Sequence, residues 1–327
     1  MYAVLIANIT IGQLVFQEVH SVEITRSVDV LSDTATIKIP RALIVQNYGE
    51  GFEAAEADKV ISIGDEVTIQ IGYEDLILET EFKGYVKQVK PTFPVEVECE
   101  DAVWKLRRSK DLNKIYKNIE LRDLLKDLAA GSGISVSTEV PSFKLERFQA
   151  KNITPAQVLQ KIKEEFGLAV YIDDNGHLFA GLRQQLNALN EQSYHFQENI
   201  LPKHDLTFIK EEDLRLRVKV IGIAPDNTRV TVIIGDDDGE LRTFFRYNVT
   251  DKQRLTEIAQ EMLKMSKFTG YRGSFTSFLY PNCQRGWSVN IEDDNHQEMS
   301  GKYFVEKTKV TYGTNGARRQ IFLGEAL

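Results

Sequence analysis

The sequence predicts a mainly β protein with a small α+β insertion, in which two β-rich units flank a mixed middle. Three observations carry this. A two-strand pattern opened by glycine occurs twice, near residue 64 and near residue 286. Apolar and polar residues alternate up to about residue 100 and again from about residue 193, the period of half-buried strands. Between these regions the apolar spacing changes to that of helices.

The first copy of the repeated pattern is Gly64-Asp65-Glu66-Val67-Thr68-Ile69 followed by Gly84-Tyr85-Val86-Lys87-Gln88-Val89. The second is Gly286-Trp287-Ser288-Val289-Asn290-Ile291, then Gly301-Lys302-Tyr303-Phe304-Val305 and on to Val310. Val67, Ile69 and Ile71 share one face of a strand, as Val289 and Ile291 do in the second copy. Two related β-units at opposite ends of one chain imply an internal duplication.

Around the first copy, Val22 to Val28 and Thr34 to Ile39 alternate, with turn chemistry at Leu31-Ser32-Asp33 between them and Pro40 as a stop. Tyr48 to Asp58, rich in glycine and acids, reads as a solvated loop. Glu66 to Tyr73, Glu79 to Val89 and Val95 to Glu100 complete a series whose spacing suggests a sandwich or barrel. In the middle, Leu121, Leu124, Leu125 and Leu128 predict a helix ended by Gly131 and Gly133. Thr154-Pro155-Ala156-Gln157 is a capping box opening a second helix, with Val158, Leu159, Ile162 and Phe166 inward and Gly167 as its stop. A hairpin of Leu168 to Ile172 and His177 to Ala180 follows, turning at Asp173 to Gly176. The polar stretch Arg183 to Gln192 reads as a linker. Beyond it, Leu216 to Ile221 and Arg229 to Ile234 are strands, Asp236 to Gly239 reads as a hairpin turn, and Asp251 to Lys267 is a helix burying Leu255, Ile258, Ala259, Met262 and Leu263.

Bulk properties narrow the function. The 327 residues are 42% hydrophobic and 27% charged with a net charge of -8, which argues against a general nucleic-acid binder. Cys99 and Cys283 lie far apart and form no ligand spacing, consistent with buried reduced thiols. The apolar start Met1 to Ala7 lacks a basic flank and runs into Asn8 and Thr10, a strand rather than a leader. No run reaches the ~20 apolar residues of a membrane span.

Signatures of catalysis are missing from the sequence. The five histidines form no His-Glu-x-x-His, and His195 and His204 have no third ligand. Gly131-Ser132-Gly133 lacks the ending of a phosphate loop, and there is no Gly-x-Ser-x-Gly elbow. Asp236-Asp237-Asp238-Gly239-Glu240 and Asp293-Asp294-Asn295 could hold a hard cation, but their strand flanks favour turns. The expectation is no catalytic residue, no cofactor and no metal. One charged segment stands out: Lys105, Arg107, Arg108, Lys110, Lys114, Lys117 and Arg122 lie close together in an acidic chain. It is either a solvated face at a unit junction or an electrostatic contact with an acidic partner, including another copy of the chain.

The first pattern with Phe82-Lys83-Gly84-Tyr85-Val86, the acidic strand ending Glu100-Asp101 and the following Trp104-Lys105-Leu106 resembles the first barrel of phage tail hub proteins. Gly301-Lys302-Tyr303-Phe304-Val305 to Gly313, with Arg318-Arg319-Gln320-Ile321-Phe322-Leu323-Gly324, resembles their closing hairpin. That family includes contractile-phage baseplate hubs, late control protein D and the hub part of type VI secretion spikes. The resemblance implies tube-like β-barrels over 1–101 and 186–327, the latter with one helix, and a small α+β domain over 102–185. It implies a homotrimer whose six barrels form a pseudo-sixfold ring, joining the tail tube or a distal tail ring protein to a spike or tip. The tape measure protein would be a further partner, and DNA or effector would pass through a central channel without specific binding. The place of such a protein is the virion tail or baseplate, assembled in the bacterial host cytoplasm, and the basic segment would be a subunit-interface candidate. Two other readings are a β-sandwich protein that binds or degrades glycans, stacking sugars on Tyr271, Tyr280, Trp287 and Tyr312, and a distal tail ring protein with one barrel per chain.

Overall fold

The computed structural model describes residues 4–47, 51–182 and 190–327. The N-terminal part comprises strands β1 (Leu5–Ile11), β2 (Leu14–Phe16), β3 (Ser21–Ser27), β4 (Thr34–Ile39), β5 (Ala42–Asn47) and β6 (Gly51–Glu56), a one-turn helix α1 (Ala57–Val60), then β7 (Glu66–Tyr73), β8 (Ile77–Lys90) and β9 (Val95–Glu100). The middle holds α2 (Val103–Arg107), β10 (Leu112–Glu120), α3 (Leu121–Ala129), β11 (Lys144–Ile153), α4 (Pro155–Phe166), β12 (Leu168–Ile172) and β13 (Leu178–Leu182). The C-terminal part runs β14 (Glu191–His195), β15 (Thr207–Ile209), β16 (Leu216–Ile223), β17 (Arg229–Gly235), β18 (Glu240–Tyr247), α5 (Lys252–Ser266), β19 (Gly270–Arg272), β20 (Ser274–Ser277), β21 (Ser288–Glu292), β22 (Gly301–Gly313) and β23 (Gly316–Ala326).

A single 12-stranded sheet carries both repeats, in the order β14-β21-β22-β3-β4-β9-β8-β7-β1-β2, with β23 and β20 branching from β22. The protein is therefore mainly β, and none of its described sheets closes on itself. Alternation does the folding work expected of it: Ile9, Ile37, Ile69, Val97 and Phe82 turn inward to one core, and Tyr194, Phe275, Val289, Ile291 and Ile321 to another. The middle has a third core around Leu124, Leu159 and Ile162, which Ile221 and Ile223 of β16 join.

The α4 capping box forms as read. Gln157 N donates to Thr154 Oγ1 at 3.3 Å and Thr154 N to Gln157 Oε1 at 2.8 Å, while Gly167 takes the left-handed conformation at the end.

Three local expectations are corrected. Gly51–Glu56 is a strand paired with β5, not a loop; Arg41 neutralises Glu56 and Asp58 there, and residues 48–50 lie outside the described residues. Within the stretch read as a linker, 183–189 also lies outside them, and Glu191–His195 is a strand parallel to β21. Asp236 to Gly239 turns the chain but makes no hairpin, because β17 and β18 flank β16 on opposite sides. The turn instead crosses the start of β16, with Asp236 N bonded to Leu216 O and Glu240 N to Arg215 O. This three-stranded sheet and α5 bury their own core of Val218, Val220, Leu255 and Ala259.

The duplication is physical. Gly64 N donates to Val86 O at 2.8 Å and Val86 N to Asp65 O at 2.9 Å; Gly286 N donates to Val305 O at 2.8 Å and Val305 N to Trp287 O at 2.9 Å. Both glycines have positive φ, +97° and +82°. A β-bulge follows at the same place in each copy, between Val86 and Gln88 and between Val305 and Lys307. Val86 therefore matches Val305 and Gly84 matches Tyr303, so aligning the copies by Gly84 and Gly301 is two residues out of step.

The two opening glycines should differ in tolerance. Alanine at either must adopt φ above zero, at about 1–2 kcal/mol. A Cβ on Gly64 would also meet the Trp104 ring at 2.9 Å, whereas one on Gly286 has only the Tyr171 hydroxyl at 3.9 Å. Urea unfolding should show Gly64→Ala as the more destabilised variant.

Candidate functional site

The two β-units meet through backbone hydrogen bonds. Past its bulge, β22 pairs antiparallel with β3 from Lys307 opposite Ser27 to Gly313 opposite Ser21, and Val28 N donates to Glu306 O. Val310, Ala317 and Tyr312 consequently pack into the core of the first unit.

Buried charges reinforce this joint. Arg319 on β23 is fully buried, and its guanidinium donates to Glu81 on β8 at 2.6 Å and to Cys283 O at 3.0 Å. Glu81 is the extra residue of a bulge between Ile69 opposite Phe82 and Gln70 opposite Thr80, which turns its carboxylate into the interior beside Phe82.

A second cluster ties in the middle of the chain. The buried Arg285 reaches Asp33 at 3.0 Å and Asp174 at 3.4 Å, donates to Ile172 O, and lies 4.7 Å from the centre of the Tyr171 ring. Arg26 on β3 adds bonds to Gln284 at 2.8 Å and Asp174 at 3.2 Å. From the loop before β21, the Arg285 guanidinium thus bridges the first β-unit and the β12–β13 hairpin. Beneath it, Asp101 accepts from Asp33 N at 2.7 Å, Val103 N at 2.9 Å and Ser32 Oγ at 3.0 Å. Burial, and then the charge of Asp33, push Asp101 up to about 7; burial also raises Asp33, against the opposing pull of Arg285. Burial pulls Arg285 down, but Asp33 and Asp174 outweigh it and the net direction is up.

The basic segment does not form one surface. Lys105 lies over the Tyr85 ring, Arg107 pairs with Glu100, Arg108 lies over Trp104 and Lys114 pairs with Asp127. Arg122 donates to the carbonyls of Thr138 and Val140. Lys110 and Lys117 are exposed and, among the described residues, have no ion pair.

The acidic turns serve the backbone and nearby bases. Asp236 accepts from Leu216 N and Lys267 Nζ, Asp238 pairs with Arg215, and Asp293 accepts from Asn295 N and Gln197. His195 faces Glu292 while His204 meets the Phe196 ring edge-on. Among the described residues no group of three His, Cys, Asp or Glu side chains could hold a metal, and no helix is long and apolar enough to cross a membrane. Of the aromatics offered for sugar stacking, Tyr271 is buried against Phe208 and Phe196, Trp287 packs on the same core, Tyr312 packs on the other unit, and Tyr280 is exposed.

The architecture is that of phage tail proteins. The fold matches the prophage MuSo2 43 kDa tail protein from Shewanella oneidensis at a TM-score of 0.64 and 16% identity, over 98% of this chain and 97% of that one. It matches the tail protein from Neisseria meningitidis MC58 at 0.62 and 13%, over 98% and 96%. A component of the type VI secretion system of E. coli matches at 0.57 and 9%, over 97% of this chain and 76% of that one. No family model and no curated protein matches the chain.

Two measurements check the joint. Arg319→Met should cost about 3–5 kcal/mol by stranding the Glu81 charge, and the double variant Glu81→Leu/Arg319→Met should recover most of it in a double-mutant cycle. Asp101 carries a raised pKa in the fold, so the stability it contributes is complete below its ordinary value of 3.8 and is lost as pH rises through about 7. Melting temperature should therefore fall between those pH values, and Asp101→Asn should flatten that slope.

Proposed function

We propose that the chain is a structural hub of a phage tail or related injection machine. Three copies would place six similar β-units in a ring that joins a sixfold tube to a threefold spike or tip. The observation that carries this reading is the repeated β-unit, with the same glycine bracket and the same bulge, locked side by side within one chain. A duplicated unit at fixed spacing lets a threefold assembly present sixfold contacts. The fold shared with phage tail proteins supports the same class of function and a non-enzymatic role.

The tube-like barrels, with the boundaries 1–101, 102–185 and 186–327, belong to this proposal. So do the tube, distal ring, spike and tape measure partners, and a virion tail or baseplate location. A channel through the ring would pass DNA or effector, and a chain of net charge -8 would hold a polyanion weakly. On the basic segment, Lys110 and Lys117 are the side chains free to meet an acidic partner copy.

Native mass spectrometry should give a trimer, and electron micrographs should show it as a ring-shaped particle; a monomer at every concentration, and in the presence of tail tube, would overturn the reading. Bacterial cell-wall or capsule polysaccharide should be neither bound nor cleaved.

A further inference from the structure

The joint between the two β-units is present once in the chain, and each unit carries the other half of it unused. In the second unit, β22 past its bulge takes β3 on the side where β21 lies. In the first unit, pairing of β7 with β8 stops at Glu66 opposite Tyr85, and among the described residues no strand takes that side of β8 from Lys87 to Lys90. The counterpart of β3 in the second unit is the segment from Ile200 to Ile209. It runs antiparallel to β20 and β19, through the Ile200–Ser277 bridge, the bonds from Leu201 N to Thr276 O and Asp205 N to Ser274 O, and the pairing of Thr207–Ile209 with Gly270–Arg272. The equivalence is fixed by the bulges: Cys99 and Leu323 face the matched valines, so Ala35 corresponds to Gly273 and Thr25, through its partner Thr34, to Thr207. Pro202, Lys203, His204, Asp205 and Thr207 are exposed on this strand.

Resting on the hub reading, we propose that these two open halves form the contact between copies: β8 of one chain, past its bulge, adds to the outer edge of the Ile200–Ile209 strand of the next. The internal joint sets the register, with Gln88 opposite Ile209 and Lys90 opposite Thr207, as Lys307 lies opposite Ser27 and Lys309 opposite Thr25. On the β8 edge Lys90 is held by Glu96 and Glu98 of its own hairpin, while the exposed Lys87 falls opposite Lys210 and beside the exposed Glu211, Glu212 and Asp213, of which Glu212 is shared with Lys210.

The hairpin tip supplies the apolar anchor. Phe93, between β8 and β9, is 89% exposed, whereas Tyr312, toward the tip of the matching hairpin, packs against the first unit's core. Antiparallel docking in this register carries Phe93 toward His204, whose ring already stands against Phe196. The first hairpin is the shorter one: residues 91–95 lie beyond the pair Lys90–Glu96, against 310–319 beyond Lys309–Gln320. Pro91, Pro94 and Pro202 remove backbone donors on both edges, which confines pairing to a short register and guards each edge against indiscriminate strand addition.

Cysteine pairing tests the joint and its register. Directly opposed strand residues lie about 4.5–5.5 Å apart at Cα, within disulfide reach. Lys90→Cys/Thr207→Cys should therefore oxidise to covalent dimers and trimers, while each single variant should not. Phe93→Asp, at an exposed position, should keep the wild-type circular-dichroism spectrum and weaken trimer formation at least about tenfold. If the protein is a trimer by native mass but the double variant does not cross-link, or Phe93→Asp associates normally, the joint is overturned and the hub reading stands. If the wild-type protein is a monomer under every condition, both fall.

Discussion

Arg285 is the constraint on which the arrangement of the chain depends. Among the described residues its guanidinium is the one group that contacts the Asp33 carboxylate, the Asp174 turn and the Ile172 carbonyl together, so it fixes the middle of the chain against both β-units. An isolated cation at that depth would cost several kcal/mol to desolvate. It is tolerated because acids and a carbonyl come from elements far apart in sequence, and they can do so only if all those elements are docked. The Arg319–Glu81 pair applies the same logic between β23 and β8. Apolar packing and backbone pairing also cross the joints, where Val310 and Ala317 enter the first core, Ile221 and Ile223 the middle one, and β22 pairs with β3; the ionic contacts add directional constraints on the same placement.

The separation of the partners along the chain explains what could be read from the sequence. The strands of the first unit, the Thr154 capping box and the helix ending at Gly167 are local: alternation, spacing and cap chemistry act within a few residues, so the pattern is visible in the residues themselves. The duplication was visible too, but glycine matching set it out of step, because the shared feature is a hydrogen-bond bracket and a bulge rather than a second glycine. The central position of β16 was hidden because a short acidic turn leads as readily across a strand end as into a hairpin.

The ionic contacts were not legible, and the reason is physical. Arg285 sits in a loop, and nothing adjacent marks it as buried. Glu81 lies in a strand whose alternation places Phe82 inward, so only the bulge explains why its neighbour is inward as well. Arg319 did leave a trace: it shares a face with Ile321 and Leu323, and a charged residue in phase with a buried row calls for a partner. The basic segment gave the opposite error. Lys105, Arg107, Arg108 and Lys114 form a run in sequence, yet each is occupied by an aromatic ring or a carboxylate supplied by the fold.

A sheet that stays open at its ends also bears on why the repeat is carried on one chain. Exposed strand edges invite unplanned pairing, and proteins blunt them with lysine, proline and short length, the residues found on β8 and on the Ile200–Ile209 strand. In the proposed ring, alternate joints are made within a chain by the long β22–β3 pairing and the buried Arg319–Glu81 contact. The remaining joints rest on a shorter hairpin with no counterpart to that buried pair. The covalent half would fold with the chain and set the angle between units, and the weaker half would form only where that angle brings a second copy into register. Assembly would then depend on concentration or on a template, while the geometry of each copy is fixed beforehand.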